Sequence, residues 1–218
     1  MTRRLDLVVF DWDGTLLDST AAIVRSIRSA CEDLGFDPPG EAAARHVIGL
    51  GLEDALASAM PELDPRDYGR LAESYRHHYL AQDRELELYP GAARLVERLR
   101  ERGYALGIAT GKSRLGLRRA LAVANLESHF VATRCADECR PKPHPAMLLE
   151  LMAETGAEPA RTLMVGDTTH DLRMARQAGV QALAVSYGAH SAEELAREAP
   201  LACLASLEAL AEWFDANG

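Results

Sequence analysis

Short apolar runs recur along the chain, and stretches with helical spacing separate them. Residues 5–10, 105–109, 130–133, 162–165 and 182–185 predict five buried strands, four of which run out into polar or glycine-containing turns. Between them, apolar residues three and four apart mark helices. Ser113 can cap one whose inner face holds Leu117, Ala120, Leu121 and Ala124. Pro90-Gly91 precedes another, carrying Ala92, Leu95, Val96 and Leu99 and stopped by Gly103. Pro145 suits the first helical position of a third, with Met147, Leu148, Leu151 and Met152 inward and Gly156 beyond its end. Strands alternating with helices favour parallel pairing through right-handed crossovers, hence an α/β fold with a Rossmann-like, doubly wound parallel sheet. Ligands in such sheets bind at the carboxyl ends of the strands, so chemistry is expected just after each strand.

One segment breaks the alternation. After the first strand, no convincing strand follows before Leu88. Ile23, Ile27, Ala30, Cys31 and Leu34 form one helical stripe closed by Gly35; Tyr68, Leu71, Ala72, Tyr75 and Tyr79 form another, with Asp64-Pro65 as its expected cap and first-turn proline. This is far longer than a crossover requires. The expected organisation is a core of residues 1–18 and 83–218, with residues 19–82 inserted as a small helical cap domain over the strand ends.

Composition narrows the function. The chain is 48% hydrophobic and 26% charged, enough to bury a core without disulfide or metal staples. With 33 acidic against 24 basic residues its formal charge is −9, which argues against nucleic acid or an anionic membrane as partner. A small anionic substrate stays open, because a bound cation and a few lysines can reverse the potential inside one pocket. Cys31, Cys135, Cys139 and Cys203 are too scattered for a disulfide framework and lack the partners of a zinc site. The N-terminal segment has only four consecutive apolar residues before Asp11, and no stretch of about 18 occurs, so a cytoplasmic location is expected.

Four strand ends carry candidate chemistry. The first strand runs into Asp11-Trp12-Asp13-Gly14-Thr15. Two carboxylates one residue apart can share a divalent cation yet divide the work: Asp11 as nucleophile on phosphorus, Asp13 as acid and then base, with Gly14 allowing the turn that aims both. The bland alternative is a pair of solvated acids capping the next helix. The second strand ends in Thr110-Gly111-Lys112, where the Thr110 hydroxyl and the free backbone N–H at Gly111 can hold a phosphoryl oxygen, or simply form a turn and cap. In Arg140-Pro141-Lys142-Pro143-His144-Pro145 the prolines fix the direction of Lys142, which can neutralise both nucleophile and phosphoryl group; a rigid surface loop is the alternative, and His144 reads as structural or exposed. The fourth strand ends in Gly166-Asp167-Thr168-Thr169-His170-Asp171, where Asp167 can complete a magnesium shell with Asp11, and Asp171 can orient Lys142 or a metal-bound water. Either acid could instead only cap a helix.

As a set, these segments resemble the four motifs of the haloacid dehalogenase-like superfamily, over nearly the whole chain. The resemblance implies Asp11 as nucleophile, Asp13 as acid/base, Thr110 and Lys142 as phosphate-holding residues, and Asp171 in support. It also implies Mg2+ held by Asp11, the Asp13 backbone carbonyl and Asp167, under a helical cap at residues 19–82. Asp18-Ser19, Gly49-Leu50-Gly51-Leu52 and Lys142-Pro143-His144-Pro145 resemble phosphoglycolate phosphatase-type members. Gly111 and Trp12 depart from that group's usual asparagine and smaller aliphatic residue. The expected function is magnesium-dependent hydrolysis of a small phosphorylated metabolite through an aspartyl phosphate, by a monomer or homodimer. Asp13 argues against carbon–halogen hydrolysis. A β-phosphoglucomutase-type sugar phosphomutase is an alternative, since Arg25, Arg28, Arg45, Arg66, Arg70 and Arg76 could grip phosphate; a pyrophosphatase or nucleotidase is another. A non-enzymatic binding module is disfavoured because Asp11, Asp13, Lys142 and Asp167 are all present. His77-His78 point about 100° apart on a helix and suit a solvated face better than a metal.

Overall fold

A computed structural model describes residues 5–217; Met1–Arg4 and Gly218, which the N-terminal reading and the expected core limits include, lie outside the described residues. Six strands, β1 (Leu7–Phe10), β2 (Ala105–Thr110), β3 (Ala132–Cys135), β4 (Thr162–Gly166), β5 (Gln181–Val185) and β6 (Cys203–Leu204), form one sheet in the order β3-β2-β1-β4-β5-β6. All neighbouring strands run parallel. The chain starts at the centre, winds out to β3, then crosses back to β4 on the other side of β1. This is the expected doubly wound α/β sheet, and it brings the tips of β1, β2 and β4 side by side.

Four helices follow β1: α1 (Thr20–Asp33), α2 (Glu41–His46), α3 (Leu52–Ala59) and α4 (Tyr68–Leu80). The others, α5 (Ala92–Glu101), α6 (Arg114–Ala124), α7 (Ala146–Thr155), α8 (Thr169–Gln177), α9 (Ala192–Arg197) and α10 (Leu207–Asn217), alternate with the strands. The two-residue period of the strands divides their side chains between two cores. Val8, Phe10, Leu163, Val165, Leu183 and Val185 face α5, α6 and α10. Leu7, Val9, Met164, Ala182 and Ala184 face α7, α8 and α9. Apolar on both faces, the strands read as continuous hydrophobic runs.

The four helices after β1 build their own apolar cluster from Ile23, Ile27, Ala30 and Cys31 of α1, Val47 and Ile48, Leu56 of α3, and Leu71 of α4. That cluster reaches the sheet layer through Ala189. His78 is half-buried and bonds Asp33 of α1 at 2.7 Å, so part of the expected solvated face helps to join α4 to α1.

Several boundaries differ from the sequence reading. β3 spans residues 132–135 instead of 130–133, because Phe130 ends a 3-10 turn and packs edge-on against Trp12 at 6.4 Å. β6, only two residues long, was not expected. Asp64 accepts the Arg66 N–H at 2.9 Å in a local turn, and α4 begins three residues later than Pro65, behind Asp67. Pro145 is the N-cap of α7 and not its first residue; the His144 ring accepts the Ala146 N–H at 3.2 Å.

Candidate active site at the strand tips

Asp11 prolongs the β1 ladder by one bond, its N–H donating to the Val165 carbonyl at 2.9 Å. The chain then turns sharply. The Trp12 N–H donates back to Asp11 Oδ1 at 2.6 Å, while the Trp12 ring enters the core. Gly14 has φ +80°, and a Cβ there would meet Asp167 Oδ2 at 2.2 Å. Only glycine lets this turn press against the carboxylate at the β4 tip.

Lys142 is buried, its Nζ 2.7 Å from Asp11 Oδ1 and 2.6 Å from Asp171 Oδ1. The peptide bond joining it to Pro143 is cis. Asp171 spends its other oxygen on the start of α8, accepting the Thr168 N–H at 3.1 Å and hydroxyl at 2.7 Å in a capping box. Asp167 accepts the Thr15 hydroxyl and the Ala189 N–H, both at 2.7 Å. Carboxylate oxygens of Asp11, Asp167 and Asp171 lie within 4.8 Å of one another. Asp11 Oδ2, also buried, has no hydrogen-bond partner.

Three buried carboxylates therefore surround one ammonium, and the charges do not balance. Burial lifts Asp11 well above the usual carboxylate range, against the pull of Lys142. Burial, with the Asp171 charge, pushes Asp167 up to about 7. Burial works against the Lys142 ammonium too, but Asp11 and Asp171 outweigh it and its pKa rises. A divalent cation fits this set: hard oxygen donors on three buried carboxylates, and a surplus of negative charge that Lys142 alone does not offset.

The sign of the pH effect follows. Asp167 titrates higher folded than unfolded, so the stability it contributes is complete below the ordinary carboxylate pKa and is lost as pH rises through about 7. The metal-free protein should show a falling melting temperature from about pH 5 to pH 8, and magnesium should restore more at the upper end. Thermal scans with and without chelator check this; curves that coincide at every pH contradict it.

Asp13 does not join the carboxylate cluster. Its Oδ1 accepts the Ser19 hydroxyl at 2.6 Å and lies 3.0 Å from Lys112 Nζ. Lys112 also donates to the Tyr79 hydroxyl at 2.7 Å, with its ammonium 4.5 Å from that ring's centre. Thr110, buried beside them, accepts the Lys112 N–H through its hydroxyl oxygen at 3.2 Å. A Cβ at Gly111 would lie 2.4 Å from the Leu50 carbonyl oxygen and 2.7 Å from that of Gly49, so the loop before α3 rests directly on the β2 tip. Asp13, Gly111, Lys112, Leu50, Tyr75 and Tyr79 line a cavity of about 990 Å3 between the sheet layer and the four-helix layer.

The structure thus gathers Asp11, Lys142, Asp167 and Asp171 at one point, sets Asp13 and Gly111 on the adjoining cavity, and buries Thr110 behind Gly111. Sequence reasoning missed Lys112, Thr15, Ser19 and Tyr79. A signal for Lys112 was present: the chain has only two lysines, Lys112 and Lys142, all its other Lys/Arg positions being arginine.

The helical layer holds the sheet layer at a second place. Arg45 donates to the Gly188 and Ala189 carbonyls at 2.7 and 3.2 Å. The His46 carbonyl oxygen lies 2.8 Å from His170 Nε2 and 3.1 Å from His190 Nε2, and the His46 ring stacks on His190 at 4.7 Å. Ala189 is the residue whose N–H binds Asp167, so this contact sits directly behind that carboxylate.

A doubly wound sheet with a lysine-bridged carboxylate cluster at its strand tips defines an enzyme of the phosphatase type. The profile of the family described as haloacid dehalogenase-like hydrolase matches residues 8–185, and the chain belongs to that family. It is 39% identical over 200 residues to the probable phosphatase IndB of Dickeya dadantii, covering 89% of this chain and 86% of that protein. It is 32% identical over 213 residues to a phosphoglycolate phosphatase of Pseudomonas putida, covering 94% and 78% respectively. Among solved structures, a haloacid dehalogenase-like family hydrolase from Streptococcus pneumoniae superposes with a TM-score of 0.83 at 26% identity, covering 98% of this chain and all of that one. Among the described residues, no helix is long and apolar enough to cross a membrane.

Proposed function

We propose that the protein is a magnesium-dependent phosphatase that hydrolyses a small phosphomonoester through an aspartyl phosphate on Asp11. The observation that carries this reading is the asymmetry of the Asp11 carboxylate. Oδ1 is held by the Trp12 N–H and Lys142, whereas Oδ2 is buried and unbonded. A carboxylate fixed through one oxygen has the other aimed and undistracted, as nucleophilic attack requires.

Asp11 and Asp167, with the Asp13 backbone carbonyl, would hold the magnesium ion, which when bound supplies charge that screens the phosphate dianion from Asp11. In the first half-reaction Asp11 Oδ2 forms a bond to phosphorus as the ester oxygen leaves, and Asp13 gives that oxygen its proton. Lys142 and the Thr110 hydroxyl steady the phosphoryl oxygens while charge spreads over them. In the second half-reaction Asp13, now a carboxylate, takes a proton from water, which attacks phosphorus and frees Asp11. Asp171 keeps Lys142 directed at Asp11 throughout. Residues 19–82 act as a cap that excludes bulk water, with the Gly49–Leu52 loop over the β2 tip. The relatives make phosphoglycolate the first substrate to try.

Phosphate release from a metabolite panel that includes phosphoglycolate, sugar phosphates, nucleotides and pyrophosphate, with and without magnesium, tests the proposal. Activity indifferent to chelation would sink it. Asp13→Asn should lower kcat by roughly a hundredfold or more, the usual size of a lost acid/base group. Single-turnover rates check this, since they separate formation of the phosphoenzyme from its breakdown.

A further inference from the structure

Lys112 has a position that the proposed chemistry does not explain. Its side chain is only 9% exposed, it stands 3.0 Å from Asp13, and it lines the cavity that a leaving group must enter. The other basic residues along that cavity are differently placed: Arg119 lies 3.5 Å from Asp83, and Arg76 and Arg84 are exposed. We infer that Lys112 is the recognition cation for the leaving group, selecting phosphomonoesters that bear a carboxylate or similar anion a few bonds from the ester oxygen.

The inference rests on the phosphatase reading above, and its geometry is simple. An ester oxygen that receives the Asp13 proton sits about 3 Å from that carboxyl group. The Lys112 ammonium is 3.0 Å from the same group. Where both meet the same Asp13 oxygen, ester oxygen and ammonium are at most about 6 Å apart, a gap that a carboxylate on the next one or two carbons spans.

Tyr79 makes recognition depend on both layers. It comes from α4, its hydroxyl accepts a Lys112 hydrogen bond at 2.7 Å, and its ring lies beside the ammonium. That hydroxyl also faces the Asp13 side chain, and its proton can turn from there to the same anion. Tyr75 stacks on Tyr79 at 5.9 Å and stiffens the arrangement.

The test compares phosphoglycolate with 2-hydroxyethyl phosphate, which has the same length but a neutral end. The wild type should prefer phosphoglycolate by at least about tenfold in kcat/KM, as one charge-assisted contact allows. In Lys112→Met that preference should collapse, chiefly through a higher KM for phosphoglycolate, and Lys112→Arg should restore part of it. Tyr79→Phe, which keeps the ring, should lower the preference severalfold and serves as the second variant if Lys112→Met does not fold. No wild-type preference, or equal losses on both substrates in the variants, overturns the inference. Its failure is separable from that of the phosphatase reading: Asp11→Asn must silence both substrates whichever way Lys112 behaves.

Discussion

Asp11→Asn is expected to cut turnover by roughly ten-thousandfold or more, the scale on which enzymes lose rate when a nucleophile is removed. An amide oxygen is a far weaker nucleophile than a carboxylate, and no neighbour can replace it: Asp167 is bonded to Thr15 and Ala189, and Asp171 to Lys142 and Thr168. The same change should leave the fold intact and even raise the metal-free melting temperature at neutral pH. Burial, with the charges of Asp171 and Asp167, opposes the charged form of Asp11 and outweighs the pull of Lys142, a strain that asparagine removes. Below about pH 4 the two proteins should converge, because a protonated carboxyl carries no such strain. Magnesium should then stabilise the variant less than the wild type. Undiminished hydrolysis in a clean preparation would refute Asp11 as nucleophile; a large fall in melting temperature would refute the charge argument.

Lys142→Met should abolish turnover and, unlike Asp11→Asn, unfold readily. Methionine matches the volume of the lysine stem but leaves Asp11, Asp167 and Asp171 crowded without the cation that bridges Asp11 and Asp171. Removing one partner of a buried ion pair costs about 3–5 kcal/mol, which in a chain of this length lowers the melting temperature by roughly 10 °C. Protonation of a carboxylate would recover part of that, so the deficit should shrink at lower pH. Adding Asp171→Asn should restore stability without restoring activity, since asparagine still accepts the Thr168 hydrogen bonds that start α8. A double variant as unstable as the single one would show that Lys142 stabilises by packing and not by charge.

The parallel sheet was legible because its central strands are apolar on both faces and end in abrupt polar turns, a contrast that β1 and β4 display most clearly. β6 offered no such run: it is two residues at the sheet edge, held mainly through its bonds to β5. The β3 offset has a tertiary cause, since Phe130 is apolar enough for a strand but packs against Trp12 instead. In the site, residues that lie just after strands could be read from the sequence. Lys112 could not be read in the same way, because its partners are Asp13 and Tyr79, distant in the chain and joined only when α4 folds over the β2 tip. Ser19 and Thr15 were hidden for a related reason: a hydroxyl in a turn reads as a cap until the carboxylate it serves is seen.

Both lysines of the chain face this one centre, and neither is open to solvent. An amine-selective acylating reagent therefore finds no lysine on the outside of the folded molecule to consume it. Lys112 is held by Asp13 and by Tyr79 of α4, so the rate of inactivation under such a reagent becomes a clock for how often α4 draws Tyr79 away.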